Sequence, residues 1–379
     1  MKIEISRKGL NDFLFYTALV FYIFWSILFN TYVTKTGFWD ENVVRVFIVT
    51  VRILLYIKIL DDSYSLEGII KAVALAILTY ISLQNSGQNM IQYSVLFILA
   101  AKDIDLKKAL KIGLITDAIT TGSVVILSLL GIIANCSSAK GGTLRYAMGF
   151  NNANTFGGHI VILTLGFIYL YYWSFTFKRY LALILVVLLI AVTCRSRTAL
   201  LLCVIGLLLV WLSRHFDIKV IYTVTQISTI LAPALSFALI FIARGLSGRV
   251  AALNLLSSGR VDSAFWYYRT YGVSWLGQET SALDTSRNMN IALDNAYVTL
   301  GVKFGMVFLV LFVIGSMMLA NIAKNEEDRG MLVILTLTAI WGIFETCNFR
   351  FEYNYFLIFL SLPLYEINFF QKAYVGSYS

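Results

Sequence analysis

The sequence predicts an all-α polytopic membrane protein with about twelve transmembrane helices, and its composition is the first reason. Hydrophobic residues make up 59% of the 379 residues and charged residues only 13%, whereas soluble globular proteins carry about 25% charged residues. The mean hydropathy is +0.78. So few charges cannot coat a water-facing surface, and most of the surface is therefore expected to face lipid. This composition argues against a soluble enzyme, a nucleic-acid-binding module and a disordered scaffold.

Long apolar runs are the second reason. A helix needs about 20 mostly apolar residues to cross the hydrocarbon layer of a membrane. The runs lie at 13–29, 43–59, 69–84, 90–101, 112–133, 155–173, 180–194, 198–213, 220–243, 295–320, 331–346 and 354–370. They take up most of the chain, so we predict a single integral membrane domain over residues 1–379. The run at 90–101 is short enough to be re-entrant, which leaves eleven spans as the alternative.

Lysine and arginine indicate the orientation, because cytoplasmic loops collect both residues. The charged stretch 1–12 leads directly into the first run without an A-x-A-like cleavage site, so we expect a retained first helix. With this end inside, the short inner loops hold clearly more basic residues than the short outer loops. This predicts that both termini are cytoplasmic. It also favours a span at 90–101, since without it the Lys-rich loop 102–111 would lie outside.

The two sides also differ in the kind of cation they carry. Lysine dominates the inner loops and arginine the outer ones. A topology signal needs only charge, whereas the planar guanidinium of arginine binds phosphate and carboxylate through paired hydrogen bonds. Contact with lipid headgroups would explain any single outer arginine, but their number favours an anionic ligand on the outer face.

The longest non-apolar segment, 244–294, is predicted to be one long extracytoplasmic loop. Its arginines are Arg244, Arg249, Arg260, Arg269 and Arg287. The loop also carries several aromatic residues, among them Trp266. Aromatic rings pack on the apolar faces of sugars, but they also sit at membrane interfaces, so both interpretations stay open. Long ordered loops in compact proteins are usually functional.

Two further pairs of arginines are candidates for anion binding. Arg195 and Arg197 lie in a tight outer turn between two apolar runs, where either lipid headgroups or a ligand would account for them. Arg45 and Arg52 are seven residues apart and share one helix face. Arg52 lies deep in its span, where an unpaired cation is costly, so an anionic partner is expected. Asp117 is the candidate for a buried ion pair, and direct contact with a ligand is the alternative.

Carboxylates near the outer side complete the candidates. Asp294 and Asn295 open the tenth run, and Glu345 lies in the last outer loop. Each carboxylate has a plainer explanation, because an Asp beside a helix start often caps that helix and Glu345 could pair with a surface cation. The chain has two histidines and four cysteines, with no CxxC spacing, so we predict no metal site and no cofactor.

Four motifs resemble, in their order and character, those of the bacterial polysaccharide polymerase and O-antigen ligase superfamily. They are Gly149-Phe150-Asn151-Asn152-Ala153-Asn154, Ser196-Arg197, Ser258-Gly259-Arg260 with Trp266, and Asp294-Asn295 with Tyr297. The resemblance covers roughly residues 140–310. The ligases tend to carry a histidine near the position of Asp294, so Asp-Asn at this point favours a repeat-unit polymerase.

The resemblance implies a GT-C-like fold and a function at the outer face of the bacterial cytoplasmic membrane. The implied reaction is metal-independent, inverting glycosyl transfer between two polyprenyl-diphosphate-linked oligosaccharides, a donor and an acceptor. The product would be a capsule, exopolysaccharide or O-antigen chain, and a chain-length regulator would be a further partner. An O-antigen ligase and a flippase for lipid-linked oligosaccharides are the alternatives. A flippase should have two similar halves, and none is visible in the sequence.

These observations together give hypotheses for individual residues. The predicted diphosphate-binding residues are Arg197 and Arg260, with Arg195 and Arg52 as second choices. The residue predicted to activate or orient the acceptor hydroxyl is Asp294, with Glu345 as second choice. The predicted substrate-binding residues are Asn154, Trp266, Asn295 and Tyr297.

Overall fold

The computed structural model describes residues 7–36, 41–135, 137–140, 143–245, 259–284 and 289–365, and helices form most of it. The α-helices are α1 Arg7–Phe29, α2 Glu41–Asp61, α3 Leu66–Ser86, α4 Met90–Ala100, α5 Leu106–Leu129, α6 Ala153–Tyr171, α7 Phe177–Val192, α8 Arg197–His215, α9 Ile218–Gly245, α10 Arg260–Tyr271, α11 Ala296–Thr299, α12 Met306–Asn325, α13 Arg329–Phe344 and α14 Ser361–Tyr365. A π-helix spans Leu300–Phe304, and 3-10 helices span Tyr32–Thr36, Tyr172–Ser174, Thr346–Phe349 and Tyr355–Leu360. Two small antiparallel hairpins pair β1 Ser137–Lys140 with β2 Thr143–Tyr146 and β3 Leu283–Asp284 with β4 Met289–Asn290.

Seven of the described helices are long and apolar enough to cross a membrane, namely α1, α3, α5, α6 with the turn that follows it, α8, α9 and α12. Shorter apolar helical segments lie at Met90–Ala100, Arg329–Phe344 and Tyr355–Tyr365. These helices confirm the prediction of a helical, membrane-embedded protein. The count of twelve spans stays a prediction, because α4 has 11 residues and α13 has 16, fewer than a full crossing needs. The end of the last predicted run, 354–370, lies outside the described residues.

Polar side chains fix the starts of several helices. Asp105 accepts a hydrogen bond from the backbone N–H of Lys108 at 2.9 Å, and Ser196 accepts one from the N–H of Ala199 at 3.4 Å. Each bond satisfies one of the amide groups that a helix leaves free in its first turn. The Ser196 cap also places the next residue, Arg197, at the first position of α8.

The core brings together the ends of α6, α8 and α13. α13 packs on α8 and α9, and α6 packs on α5 and α8. The approach of α6 to the turn before α8 is close, since a Cβ on Gly157 would lie 3.0 Å from the Cβ of Ser196. The β1–β2 hairpin is tied to the same turn, because the N–H of Tyr146 donates to the carbonyl of Thr193 at 3.2 Å. Three distant parts of the chain thus meet around residues 193–198.

The segment 244–294, predicted as one long loop, contains a helix of 12 residues, α10. Tyr268 of α10 packs edge-to-face on Phe241 of α9, with ring centroids 5.3 Å apart. The apolar side of α10 therefore anchors the segment to the helix before it. Residues 246–258 and 285–288, which include Arg249 and Arg287, lie outside the described residues.

The prediction of one continuous span over 295–320 is wrong. The chain forms α11, then the π-helix, and breaks at Gly305, whose φ is +113°, before α12 begins. The segment after α10 forms hydrogen bonds with the backbone groups that the break frees. The N–H of Met306 donates to the carbonyl of Ser274 at 2.7 Å, and the N–H of Gln278 donates to the carbonyl of Lys303 at 3.0 Å. A broken helix is tolerated at membrane depth where protein groups bind the freed backbone. Apolar periodicity could not reveal this partner.

Gly305→Ala is expected to lower the melting temperature of the detergent-solubilised protein strongly. A non-glycine residue with the φ and ψ of Gly305, +113° and 144°, is strained by about 1–3 kcal/mol, and its Cβ would lie 2.4 Å from the carbonyl oxygen of Trp275. Gly87→Ala is the matched control, because Gly87 also has a positive φ, +65°, but no atom lies within 4 Å of an added Cβ. Equal melting temperatures for the two variants would show that the contact with Trp275 is unimportant.

Candidate functional site

Arg260, the first residue of α10, is the centre of the candidate site. One terminal nitrogen donates to a carboxylate oxygen of Glu345, just beyond α13. The Nε lies 3.5 Å from Oδ2 of Asp294, just before α11. The other terminal nitrogen donates to Oγ1 of Thr198 in α8 at 3.4 Å. One guanidinium therefore joins two carboxylates and a hydroxyl from three separate parts of the chain.

The two carboxylates differ in their environment. The side chain of Glu345 is 14% exposed and that of Asp294 is 39% exposed. Burial raises the pKa of Glu345 to about 7, although Arg260 acts against this rise, and the neighbouring Asp294 adds to it. A carboxyl group with a pKa near neutral pH can both accept and release a proton. Glu345 therefore has the properties of a general base or acid.

Arg145 of β2 is a second cation of the site, and the sequence analysis missed it. Its Nε donates to the carbonyl of Cys194 at 2.9 Å, and a terminal nitrogen donates to Oδ1 of Asn154. Burial lowers the pKa of Arg145, and the nearby guanidiniums of Arg260 and Arg197 lower it further. The signal that could have identified it is its position shortly before the Asn-rich motif at 149–154.

Arg197 is exposed at the start of α8, and its guanidinium is close enough to lower the pKa of Arg145. Arg195 is exposed in the same turn and has a φ of +48°. Neither side chain donates to another of the described residues. Arg260 and Arg145 are both close enough to Glu345 to lower its pKa, and Arg197 lies near Arg145. This excess of cations, with donors still free, suits a multiply charged anion.

The predicted substrate-binding residues divide into two groups, and the first has a structural role. Asn295 is buried, accepts a bond from the N–H of Val298 at 3.0 Å, and donates to the carbonyl of Ile343 at 2.9 Å. The hydroxyl of Tyr297 is buried and donates to the carbonyl of Ala339 at 2.8 Å. These bonds cap α11 and attach it to α13, in place of the substrate contacts we predicted. The bonds of Asn295 therefore fix the position of the neighbouring residue, Asp294.

The second group lies nearer to the arginines. Asn154, half-buried at the start of α6, binds Arg145 and so orients a cation instead of standing free for a ligand. Trp266 is half-buried in α10, where its ring packs edge-to-face on that of Tyr267 with centroids 4.9 Å apart.

Among the described residues, no group of three or more His, Cys, Asp or Glu side chains could hold a metal ion.

Arg52 does not join this cluster. Its Nε donates to the hydroxyl of Tyr93 at 3.0 Å, and a terminal nitrogen donates to Oε1 of Gln92 at 3.1 Å. Both partners belong to α4, and no bond links Arg52 to Arg197, to Arg260 or to either carboxylate within the described parts of the chain. The hypothesis that Arg52 shares one diphosphate with Arg260 therefore receives no support from the contacts.

The expected ion pair between Arg52 and Asp117 is also wrong. Asp117 is fully buried, and Oδ2 of its carboxylate lies 3.1 Å from Nδ1 of His159. The hydroxyls of Thr121 and Tyr355 each donate to the same carboxylate at 2.8 Å. Asp117 faces α6 and the C-terminal 3-10 helix, whereas Arg52 faces α4. The rotation of each helix within the bundle, which the sequence does not encode locally, decided these partners.

Asp117→Leu is expected to lower the melting temperature in detergent more than the loss of one hydrogen bond would. Leucine offers no acceptor, so the three groups that bind the carboxylate all lose their partner, at a cost of about 1–3 kcal/mol each. Thr121→Val is the matched control, because it removes a single donor and keeps the shape of the side chain. A melting temperature for the Asp117 variant equal to that of the Thr121 variant would contradict a central role for the carboxylate.

Comparison with known proteins gives no relative for this chain. No protein-family model matches the sequence, and neither the curated proteins nor the solved structures contain a significant match.

Proposed function

We propose that this protein is a glycosyltransferase that joins polyprenyl-diphosphate-linked oligosaccharide repeat units on the outer face of the bacterial cytoplasmic membrane. The observation that carries the proposal is the position of Arg260 between Glu345 and Asp294, with Arg145 and Arg197 close by. Such a site offers cations for a leaving diphosphate and a carboxylate for an attacking hydroxyl. The motif resemblance to repeat-unit polymerases supports the same function.

The donor substrate carries a lipid diphosphate as its leaving group. Negative charge builds up on this group as its bond to the sugar breaks, and cations fixed in advance around it lower the barrier. Arg197 and Arg260 are the proposed diphosphate ligands, with Arg195 on the same turn able to extend the site. Arg145, held by Asn154, adds a third guanidinium. These arginines supply the charge stabilisation without a metal ion.

The acceptor sugar is activated by Glu345 in this proposal, with Asp294 as the group that orients it. Burial and a pKa of about 7 make Glu345 the better base, which reverses the order of preference from the sequence. The acceptor hydroxyl oxygen attacks the anomeric carbon as the bond to the donor diphosphate breaks, and the hydroxyl proton passes to Glu345. The anomeric centre inverts, and a free lipid diphosphate leaves.

The proposed topology has twelve spans, with both termini in the cytoplasm and Arg260 outside. The excess of lysine in the inner loops and of arginine in the outer ones supports it. Cysteines introduced at the exposed positions Arg269 and Glu279 should react with a thiol reagent that does not cross the membrane of intact cells. Reaction only after the cells are broken would place the arginine cluster inside and would contradict the proposal.

The direct test of the reaction uses purified protein and a lipid-linked repeat unit in detergent. Longer lipid-linked chains and free lipid diphosphate are the expected products. An O-antigen ligase would leave this single substrate unchanged, because it needs a different acceptor. A chain-length regulator, added separately, should change the product length and not the chemistry.

A lipid-linked oligosaccharide flippase is the second candidate, and the buried pair of Asp117 and His159 favours it. Ionisable residues inside membrane spans often mark proton pathways in transporters. A flippase would not lengthen the chains in detergent, but it would move the lipid-linked substrate across the membrane of sealed vesicles. The same two preparations therefore separate the candidates.

A further inference from the structure

Arg52 lies in α2 in an environment that leaves part of its guanidinium unused. Its bonds go to two neutral acceptors, the Tyr93 hydroxyl and the Gln92 amide oxygen, and its CZ atom lies 5.3 Å from the centre of the Tyr93 ring. The other terminal nitrogen donates to no described residue. The side chain is only half-buried, so part of it stays accessible to a ligand.

The positive charge of Arg52 has no carboxylate partner among the described residues. Asp117 is bound to His159, as described above. Glu352 is bound by Arg350 and by the hydroxyl of Tyr22, the latter at 3.1 Å. A half-buried cation whose hydrogen bonds go only to neutral groups is poorly compensated, which favours binding of an anion. Both of these carboxylates are bound elsewhere, and one terminal nitrogen of Arg52 keeps its donors for an external anion.

A second arginine of α2 lies on the same side of the helix as Arg52. Arg45 is exposed and lies seven residues earlier, about 10 Å along the helix axis. The two arginines therefore lie in a row from the first turns of α2 to its middle. The helix also exposes apolar residues, among them Val49 and Ile53, and this combination of cations and apolar surface suits a lipid with a charged headgroup.

Arg52 and Arg260 lie near opposite ends of one connecting segment, 345–352. Glu345 at its start binds Arg260, and Glu352 at its end binds Tyr22. The ring of Tyr22 packs on that of Tyr93, with centroids 4.8 Å apart, and Tyr93 holds Arg52. Arg52 and Arg260 are therefore separate in their contacts and linked through the segment that carries the proposed base.

We propose that Arg52, with Gln92 and Tyr93, binds the diphosphate of a second lipid-linked substrate, the acceptor, while the cluster around Arg260 binds that of the donor. This inference rests on the proposed function, because a polymerase holds two lipid diphosphates at once. Arg45 guides the acceptor to Arg52. The segment 345–352 then brings the acceptor sugar towards Glu345.

The test counts bound diphosphates on the full-length protein in detergent, with native mass spectrometry and farnesyl diphosphate as the probe. Wild-type protein is expected to bind two molecules, Arg52→Gln one and Arg260→Gln one. Arg269→Gln is the matched control, since Arg269 is exposed in α10, and it should bind two. Phosphatidylglycerol at the same concentration should not displace the molecule at Arg52.

Two bound molecules on Arg52→Gln would overturn the proposal, and so would displacement by phosphatidylglycerol, which would indicate a general lipid-phosphate site. If Arg52→Gln does not fold, Arg52→Lys takes its place, with about tenfold weaker binding of the second molecule expected; unchanged binding would overturn the proposal. Loss of one molecule on Arg52→Gln but none on Arg260→Gln would support the Arg52 site and contradict the proposed donor site. The reverse result would contradict the Arg52 site alone.

Discussion

Replacement of Arg260 by glutamine is expected to slow chain elongation by about a thousandfold. This guanidinium contacts both Glu345 and Asp294, and in the proposed reaction it also stabilises the departing diphosphate. Its loss removes that stabilisation and leaves two neighbouring carboxylates that repel each other and the substrate. The measurement is the initial rate of chain elongation with purified protein and a lipid-linked repeat unit.

The control for this variant is Arg269→Gln, which removes an exposed arginine from the same helix and should keep the wild-type rate. The double variant Arg260→Gln with Glu345→Gln should be less impaired than the product of the two single effects, because the two residues act as one unit. A rate for Arg260→Gln within a few-fold of wild type would refute the diphosphate assignment.

Glu345→Gln is expected to slow elongation by about 10²- to 10⁴-fold, the usual contribution of a general base. A base works when it is deprotonated, and burial gives Glu345 a pKa of about 7. The wild-type rate should therefore rise as the pH increases through about 7 and level off above it. The residual rate of the glutamine variant should lack this step, because the amide does not titrate.

Two further variants distinguish the role of Glu345 from its position. Glu279→Gln removes an exposed carboxylate of the segment after α10 and should leave both the rate and the pH profile unchanged. Asp294→Asn should lower the rate, because Asp294 orients the acceptor in our proposal, and it should keep the step but move it to lower pH, because the charge of Asp294 adds to the pKa of Glu345. If the step disappears in Asp294→Asn and persists in Glu345→Gln, Asp294 is the base.

The structure changes the meaning of motifs that were visible in the sequence. The resemblance pointed to Asn295 and Tyr297 as substrate ligands, yet both are buried and bonded to the backbone of α13. Their position next to Asp294 explains the pattern, since they fix the carboxylate through the local fold. A short motif shows which residues are adjacent in the chain, but it does not show which of them reaches a ligand.

The sequence by itself determined the class of the protein, because hydrophobicity and charge distribution are properties of the residues and need no tertiary contact. It also predicted Arg197, Arg260, Asp294 and Glu345 as candidate site residues, since ionisable side chains stand out beside long apolar runs.

Only the tertiary structure decided the partners. It placed Arg260 between two carboxylates, added Arg145, paired Asp117 with His159 and left Arg52 with neutral acceptors. It also interrupted the tenth apolar run at Gly305, where the backbone forms hydrogen bonds to residues about 30 positions earlier in the chain. These outcomes depend on how each helix is rotated and how deeply it packs. Those quantities are set by the sum of many contacts between distant residues, and no local pattern carries them.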